Sequence, residues 1–190
     1  MAFRHGFKTS ANRIALEIRA NLGLAPTSPL DPWTVCGHYD VTVLKLSSLV
    51  GDDGRAVGYH FLAIDREAFS AVVFPCGIRT AIVHNDSHAP VRQRSNLFHE
   101  LAHLFLGHPL KPLLSADGTR DRNSVIEEEA AFLGGCLLIP NEAACHIVNS
   151  RRQATAASTY GVSDVMLTYR LRVSGATQIA ARRANKRLAG

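Results

Sequence analysis

Near the middle of the chain, His99-Glu100-Leu101-Ala102-His103 sets two histidines four residues apart around a glutamate, inside an apolar run made by Leu97, Phe98, Leu101, Ala102, Leu104, Phe105 and Leu106. Neither proline nor glycine interrupts the run before Gly107, so the stretch reads as a buried helix closed by a glycine cap. On a helix the two imidazoles share a face. Burying them and Glu100 without partners would cost about a few kcal/mol each. That cost is offset if both rings offer a nitrogen to one Zn²⁺, with Glu100 beside the metal and able to take a proton from water. With nine His and seven Glu in 190 residues, chance alone yields H-E-x-x-H in roughly 1 or 2 of every 100 shuffled chains. The apolar helical setting is therefore what gives the motif its weight.

A catalytic zinc takes three protein ligands and leaves a fourth position open. Three sources compete for the third. His108 is nearest, but the pattern that recruits a third histidine from the same segment has glycine three and histidine six residues after the second His. Here Gly107 and His108 follow His103 by four and five, which puts His108 just past the helix end. Cys36, Cys76, Cys136 and Cys145 form no C-x-x-C pair and read as small buried apolar residues. The acidic triplet Glu127-Glu128-Glu129 opens a second apolar run, Ala130 to Ile139, stopped by Pro140. A carboxylate there completes a His₂Glu set. Ser124-Val125-Ile126-Glu127 also fits an S-x-x-E capping box, which accounts for one or two of the three acids by helix capping alone.

These residues resemble the ImmA/IrrE-type zinc metallopeptidases. The resemblance rests on Arg92-Gln93-Arg94-Ser95-Asn96-Leu97 leading into the H-E-x-x-H segment, on Leu106-Gly107-His108, and on Glu127-x-Glu129-Ala130 running to Leu137-Leu138-Ile139-Pro140. It covers about residues 58 to 140 and implies that Glu127 is the third zinc ligand, ahead of Glu128 and Glu129. Where many members carry Asn after the Glu-Ala pair this chain has Ala131, and where they carry alanines it has Gly134-Gly135. Ala131 cannot hydrogen-bond to a ligand, so any side chain that orients one comes from elsewhere. The resemblance further implies a cytosolic protease whose substrate is a helix-turn-helix transcriptional repressor, an anti-repressor activity tied to stress response or mobile elements. That substrate is carried by the family alone.

A chain of 190 residues, 46% apolar and 19% charged, is long enough for one globular domain with a small appendage and is not of disordered composition. Met1 to Ser10 lacks the apolar stretch of a signal peptide, and no run approaches the roughly 20 apolar residues of a membrane span. A cytoplasmic protein without membrane contact is the expectation, and scattered cysteines suit a reducing compartment.

Residues 9–22 show helical spacing (Ile14, Ala15, Ile18, Leu22) ended by Gly23, and Asp31-Pro32 opens a short helix through Trp33, taken as a core residue, to Gly37. Four β-rich runs follow, at Val41 to Leu46, Tyr59 to Ile64, Phe69 to Phe74 and Arg79 to Val83, with turns at Gly51-Asp52-Asp53-Gly54 and Pro75-Cys76-Gly77. They predict a small antiparallel sheet ahead of the zinc helix, one edge of which holds an extended substrate. The linker 84–90 carries His84 and His88, and Arg92 and Arg94 start the helix region; all four are candidate substrate contacts, with structural roles the plainer reading. The polar loop from Pro109 to Arg122 suits either a rim over the cleft or a plain surface loop.

Beyond Pro140 helices resume, with Asn141 and Ser163 as caps. Residues 151–190 hold eight Lys or Arg and one Asp, a net of +7 that leaves −2 for the first 150. Such a basic helical tail can touch DNA or an acidic partner, and Tyr160-Gly161-Val162-Ser163 hints at a helix-turn-helix; a solvated helical face is the plainer reading.

The sequence thus predicts an α+β, zincin-like metallopeptidase domain over residues 1–145, with an H-E-x-x-H helix and a small antiparallel sheet, followed by a basic helical extension over 146–190. Zn²⁺ is held by His99, His103 and Glu127, and Glu100 activates water for endopeptidase chemistry on a protein substrate. The rival is a non-catalytic regulator that binds DNA or a repressor through its basic C-terminal helices around a structural or degenerate metal site.

Overall fold

The computed structural model describes residues 3–51, 58–110 and 124–188. In chain order the elements are α1 (Phe7–Asn21), α2 (Pro32–His38), β1 (Val41–Lys45), β2 (Ala71–Cys76), β3 (Arg79–His84), α3 (Pro90–Phe105), α4 (Ser124–Leu138), α5 (Asn141–Asn149), α6 (Gln153–Tyr160), α7 (Asp164–Val173) and α8 (Ala176–Leu188). This is the mixed α+β composition the sequence predicts. Its contacts divide it into two compact units, residues 31–134 and residues 1–30 with 135–190. The second unit is discontinuous in sequence.

In the 31–134 unit the strands form one sheet of order β1-β3-β2, with β2 antiparallel and β1 parallel to β3. The expectation of a wholly antiparallel sheet is corrected at β1. β2 and β3 are joined through Gly77 and Ile78, with Gly77 at φ +61°, and so short a turn can join only antiparallel neighbours. The chain between β1 and β2 is long enough to free β1 from that constraint. The hairpin turn falls two residues later than predicted, because Pro75 sits within β2 opposite Thr80.

The predicted strand at Tyr59 to Ile64 is instead one wide helical turn, His60–Ile64, closed by the Asp65 N–H on the His60 carbonyl at 2.8 Å. Phe61 and Leu62 pack with Leu44, Leu49, Phe69 and Phe74 around buried Leu46, Val72 and Val83. That burial does not require a strand, and the β-rich composition was misleading for this reason. The turn predicted at Gly51 to Gly54 falls largely outside the described residues, as does most of the Pro109 to Arg122 loop.

Asn85, fully buried, pins the 61–69 segment: its Nδ2 donates to the carbonyls of Phe61 at 2.9 Å and Phe69 at 3.1 Å, while its Oδ1 accepts from Ser87 N and Oγ. α2 starts as predicted, with Asp31 accepting from Thr34 N at 2.9 Å and Pro32 first in the helix. Trp33 is not core; it is 39% exposed, its ring edge-on to His84. α3 packs against β2 and β3, and its Leu97, Phe98 and Leu101 are fully buried.

In the other unit two buried guanidiniums stand where carbonyls at and just past the end of α4 lack helical partners. Arg19 donates to the carbonyls of Leu137, Ala15 and Ser28, and Arg170 donates to that of Ile139 and to Asn141 Oδ1. Burial pushes the Arg19 pKa down to about 10. Asn141 is therefore not the cap of α5; its own N–H is met by Asn12 Oδ1 from α1 at 2.8 Å. Ser163 does cap α7, accepting from Met166 N at 3.2 Å. Among the described residues no single helix is long and apolar enough to cross a membrane.

Candidate metal centre

The site in the 31–134 unit is built from two helices. α3 starts with Pro90 in its first turn, and one face carries both His99 and His103. α4 spans Ser124–Leu138 and carries Glu127 in its first turn; the residue before Ser124, on which the S-x-x-E capping reading depends, lies outside the described residues. His99 Nε2 lies 3.1 Å from His103 Nε2 and 3.2 Å from Glu127 Oε2, and His103 Nε2 lies 3.9 Å from that same oxygen. Three atoms so spaced lie on a circle of radius about 2.0 Å, which is the bond length Zn²⁺ makes to imidazole nitrogen and carboxylate oxygen. Among the described residues this trio is the group able to hold a metal ion.

The donor chemistry agrees with the spacing. Two imidazole nitrogens 3.1 Å apart repel through their lone pairs unless a proton or a cation lies between them. A carboxylate at the third corner supplies the negative charge that favours a divalent cation. The side chains of His99 and Glu127 are partly open, 29% and 46% exposed, while that of His103 is 12% exposed, so the trio is reachable from solvent on one side.

Glu100, one residue along α3 from His99, is 9% exposed, and its Oε2 accepts the Val73 N–H at 2.9 Å. β2 is an edge strand, and Val73 is a position whose N–H turns away from β3. β1 and β2 are both edge strands, and β2 is the one that touches Glu100.

The remaining candidates separate clearly. Glu128 is not in the trio. Glu129 and His108 meet each other instead, with His108 Nε2 3.4 Å from Glu129 Oε2 and His108 Nδ1 3.0 Å from His103 Nδ1. His88 is structural, its ring nitrogens engaged by the Arg66 carbonyl at 2.7 Å and by Asn96 Nδ2 at 3.3 Å. His84 is buried at the end of β3, and burial holds its pKa below the usual histidine value. Arg92 pairs with Glu67 and Arg94 with Asp31. All four cysteines are free; Cys36 and Cys136 are buried as expected, Cys76 is exposed and Cys145 half-buried. Burial pushes the Cys36 thiol up to about 12. Sequence reasoning missed the pairing of His108 with Glu129; the signal was the Gly107-His108 dipeptide at the helix end.

Two histidines one turn apart on a helix, faced by a carboxylate on a second helix, form a His₂-carboxylate group able to hold a metal ion. Residues 37–172 match the family model of the IrrE N-terminal-like domain, peptidase M78, and the chain belongs to that family. Membership points to a metallopeptidase, as the earlier resemblance implied. No curated protein matches the chain at a significant level.

Proposed function

We propose that the protein is a zinc-dependent endopeptidase of zincin-like architecture, with Zn²⁺ held by His99, His103 and Glu127 and with Glu100 as general base. The observation that carries this reading is the convergence of two imidazole nitrogens and a carboxylate oxygen on a circle of about 2.0 Å radius, the zinc bond length, beside a buried glutamate held by a strand edge. When bound, the metal would supply Lewis acidity, making water more acidic and polarising a carbonyl.

The protein groups supply the rest. Glu100 takes a proton from the attacking water and hands it to the leaving amine nitrogen, so that the C–N bond breaks with a neutral amine departing. The Val73 N–H fixes one carboxylate oxygen of Glu100 and with it the direction of the other. An extended substrate would meet β2 mainly at the carbonyls of its outward residues 71, 73 and 75, because the Val73 N–H is held by Glu100 and Pro75 has none.

A helix-turn-helix repressor is the protein substrate suggested by the resemblance. Contact with DNA or with that partner through the C-terminal helices belongs to the same proposal. Arg151, Arg152, Arg172 and Arg182 are exposed and available for it, whereas Arg170 is fully buried and is not.

The test is Glu100→Gln, whose amide oxygen still accepts from Val73 N–H. Cleavage of a protein substrate should fall by about 10²-fold or more, with metal content unchanged. Undiminished cleavage in this variant would remove Glu100 as the base, whereas a biological effect that survives the loss of cleavage would leave the basic helices, and binding rather than hydrolysis, as the function.

A further inference from the structure

The geometry points to His108 and Glu129 as positioning residues for the metal centre, acting through His103; this inference rests on the metal reading proposed above. α3 ends in a Schellman turn. Gly107, at φ +65°, donates its N–H to the Leu104 carbonyl at 3.0 Å, and His108 donates its N–H to the His103 carbonyl at 3.0 Å. That turn folds the His108 ring back beside the ring of His103, with centroids 5.1 Å apart and the two Nδ1 atoms 3.0 Å apart. On the far side of His108, its Nε2 faces Glu129 Oε2 at 3.4 Å. The side chains of His108 and Glu129 are 8% and 9% exposed, so neither is a surface group that drifts into contact.

A single arrangement of protons satisfies the whole row. When His103 Nε2 gives its lone pair to a metal, the ring carries its proton on Nδ1. That N–H donates to the lone pair on His108 Nδ1. His108, neutral, then carries its own proton on Nε2 and donates it to the Glu129 carboxylate. The negative charge on Glu129 favours this tautomer of His108, which in turn favours the tautomer of His103 whose Nε2 is free to bind. The row also sets the plane of the His103 ring, because His108 is fixed at both ends, by the Schellman turn and by α4. Glu129 thereby gains a role distinct from that of Glu127, two residues earlier on the same helix.

The test compares zinc affinity, by competition with a chromogenic chelator, and the visible spectrum of the Co²⁺-substituted protein, for the full-length wild type and the variants His108→Ala, His108→Gln and Glu129→Gln. His108→Ala should weaken zinc binding about 10- to 100-fold and shift the Co²⁺ bands. His108→Gln, whose amide oxygen accepts from His103 Nδ1–H, should recover part of the affinity. Glu129→Gln is nearly isosteric and should weaken binding in the same direction by a smaller factor, so a folding failure of His108→Ala would not remove the test. Affinities within twofold of wild type and unchanged Co²⁺ spectra in both His108→Ala and Glu129→Gln would overturn this inference while leaving the metal site standing. A wild type that binds no metal would overturn both.

Discussion

Gly134 on α4 lies against the backbone of His99 on α3, so closely that a Cβ at position 134 would stand 3.4 Å from both the amide nitrogen and the Cα of His99, and 3.3 Å from the Phe98 carbonyl oxygen. Gly134 follows Glu127 by seven residues, two helical turns, so both lie on one face of α4. The missing side chain lets the two helices meet where the carboxylate is brought to the imidazoles. Gly134→Ala should be nearly neutral, since the helix propensity gained, about 1 kcal/mol, offsets a tight contact. Gly134→Val should destabilise by about 1–3 kcal/mol through overpacking and weaken metal binding. Urea unfolding of the two variants checks this; equal stability for both would mean that the close approach is not required.

Asn85 should be among the most costly polar residues to remove from the 31–134 unit. Its side chain holds the Phe61 and Phe69 carbonyls on one side and Ser87 on the other, from a fully buried position. Asn85→Ala leaves those groups without that partner, which predicts a loss of about 2–4 kcal/mol. Denaturant unfolding would show it, and a loss below 0.5 kcal/mol on the order set for surface substitutions would contradict it.

Stability should fall on mild acidification, in part through His84. Its ring nitrogens lack protein hydrogen-bond partners among the described residues, and burial, opposed by nearby Asp86 and aided by Lys45 and His88, depresses its pKa. Between its folded pKa and the ordinary value of about 6.5 the unfolded chain binds a proton that the folded chain does not. Stability from this group is therefore full above that ordinary value and is lost as pH falls below it, at a slope of at most about 1.4 kcal/mol per pH unit. His84→Phe, which keeps a ring beside Trp33, should flatten the decline between pH 7 and pH 5 measured by thermal unfolding. An unchanged slope would assign the acid sensitivity to other groups.

Much of the site was legible because its signals are local. The four-residue spacing of His99 and His103, the apolar run around them and the acidic start of α4 are properties of neighbouring residues, and helical periodicity turns them into shared faces. What escaped depends on contacts between distant residues. The parallel pairing of β1 with β3 and the helical turn at 60–64 are settled by which edges are free and by what Phe61 and Leu62 bury, neither of which a β-rich composition records. Asn141 looked like a cap until Asn12, from α1, took that part. His108 was read only for a ligand spacing that it lacks, whereas the left-handed Gly107 before it redirects the chain and makes it a neighbour of His103.

The proposed chemistry requires His99, His103 and Glu127 to share one divalent ion. Metal analysis of purified wild type beside Glu127→Ala and Glu128→Ala tests it most directly. One zinc per chain in the wild type and in Glu128→Ala, with zinc lost from Glu127→Ala, is the predicted result. Zinc retained in Glu127→Ala, or absent from the wild type after incubation with the metal, would contradict it.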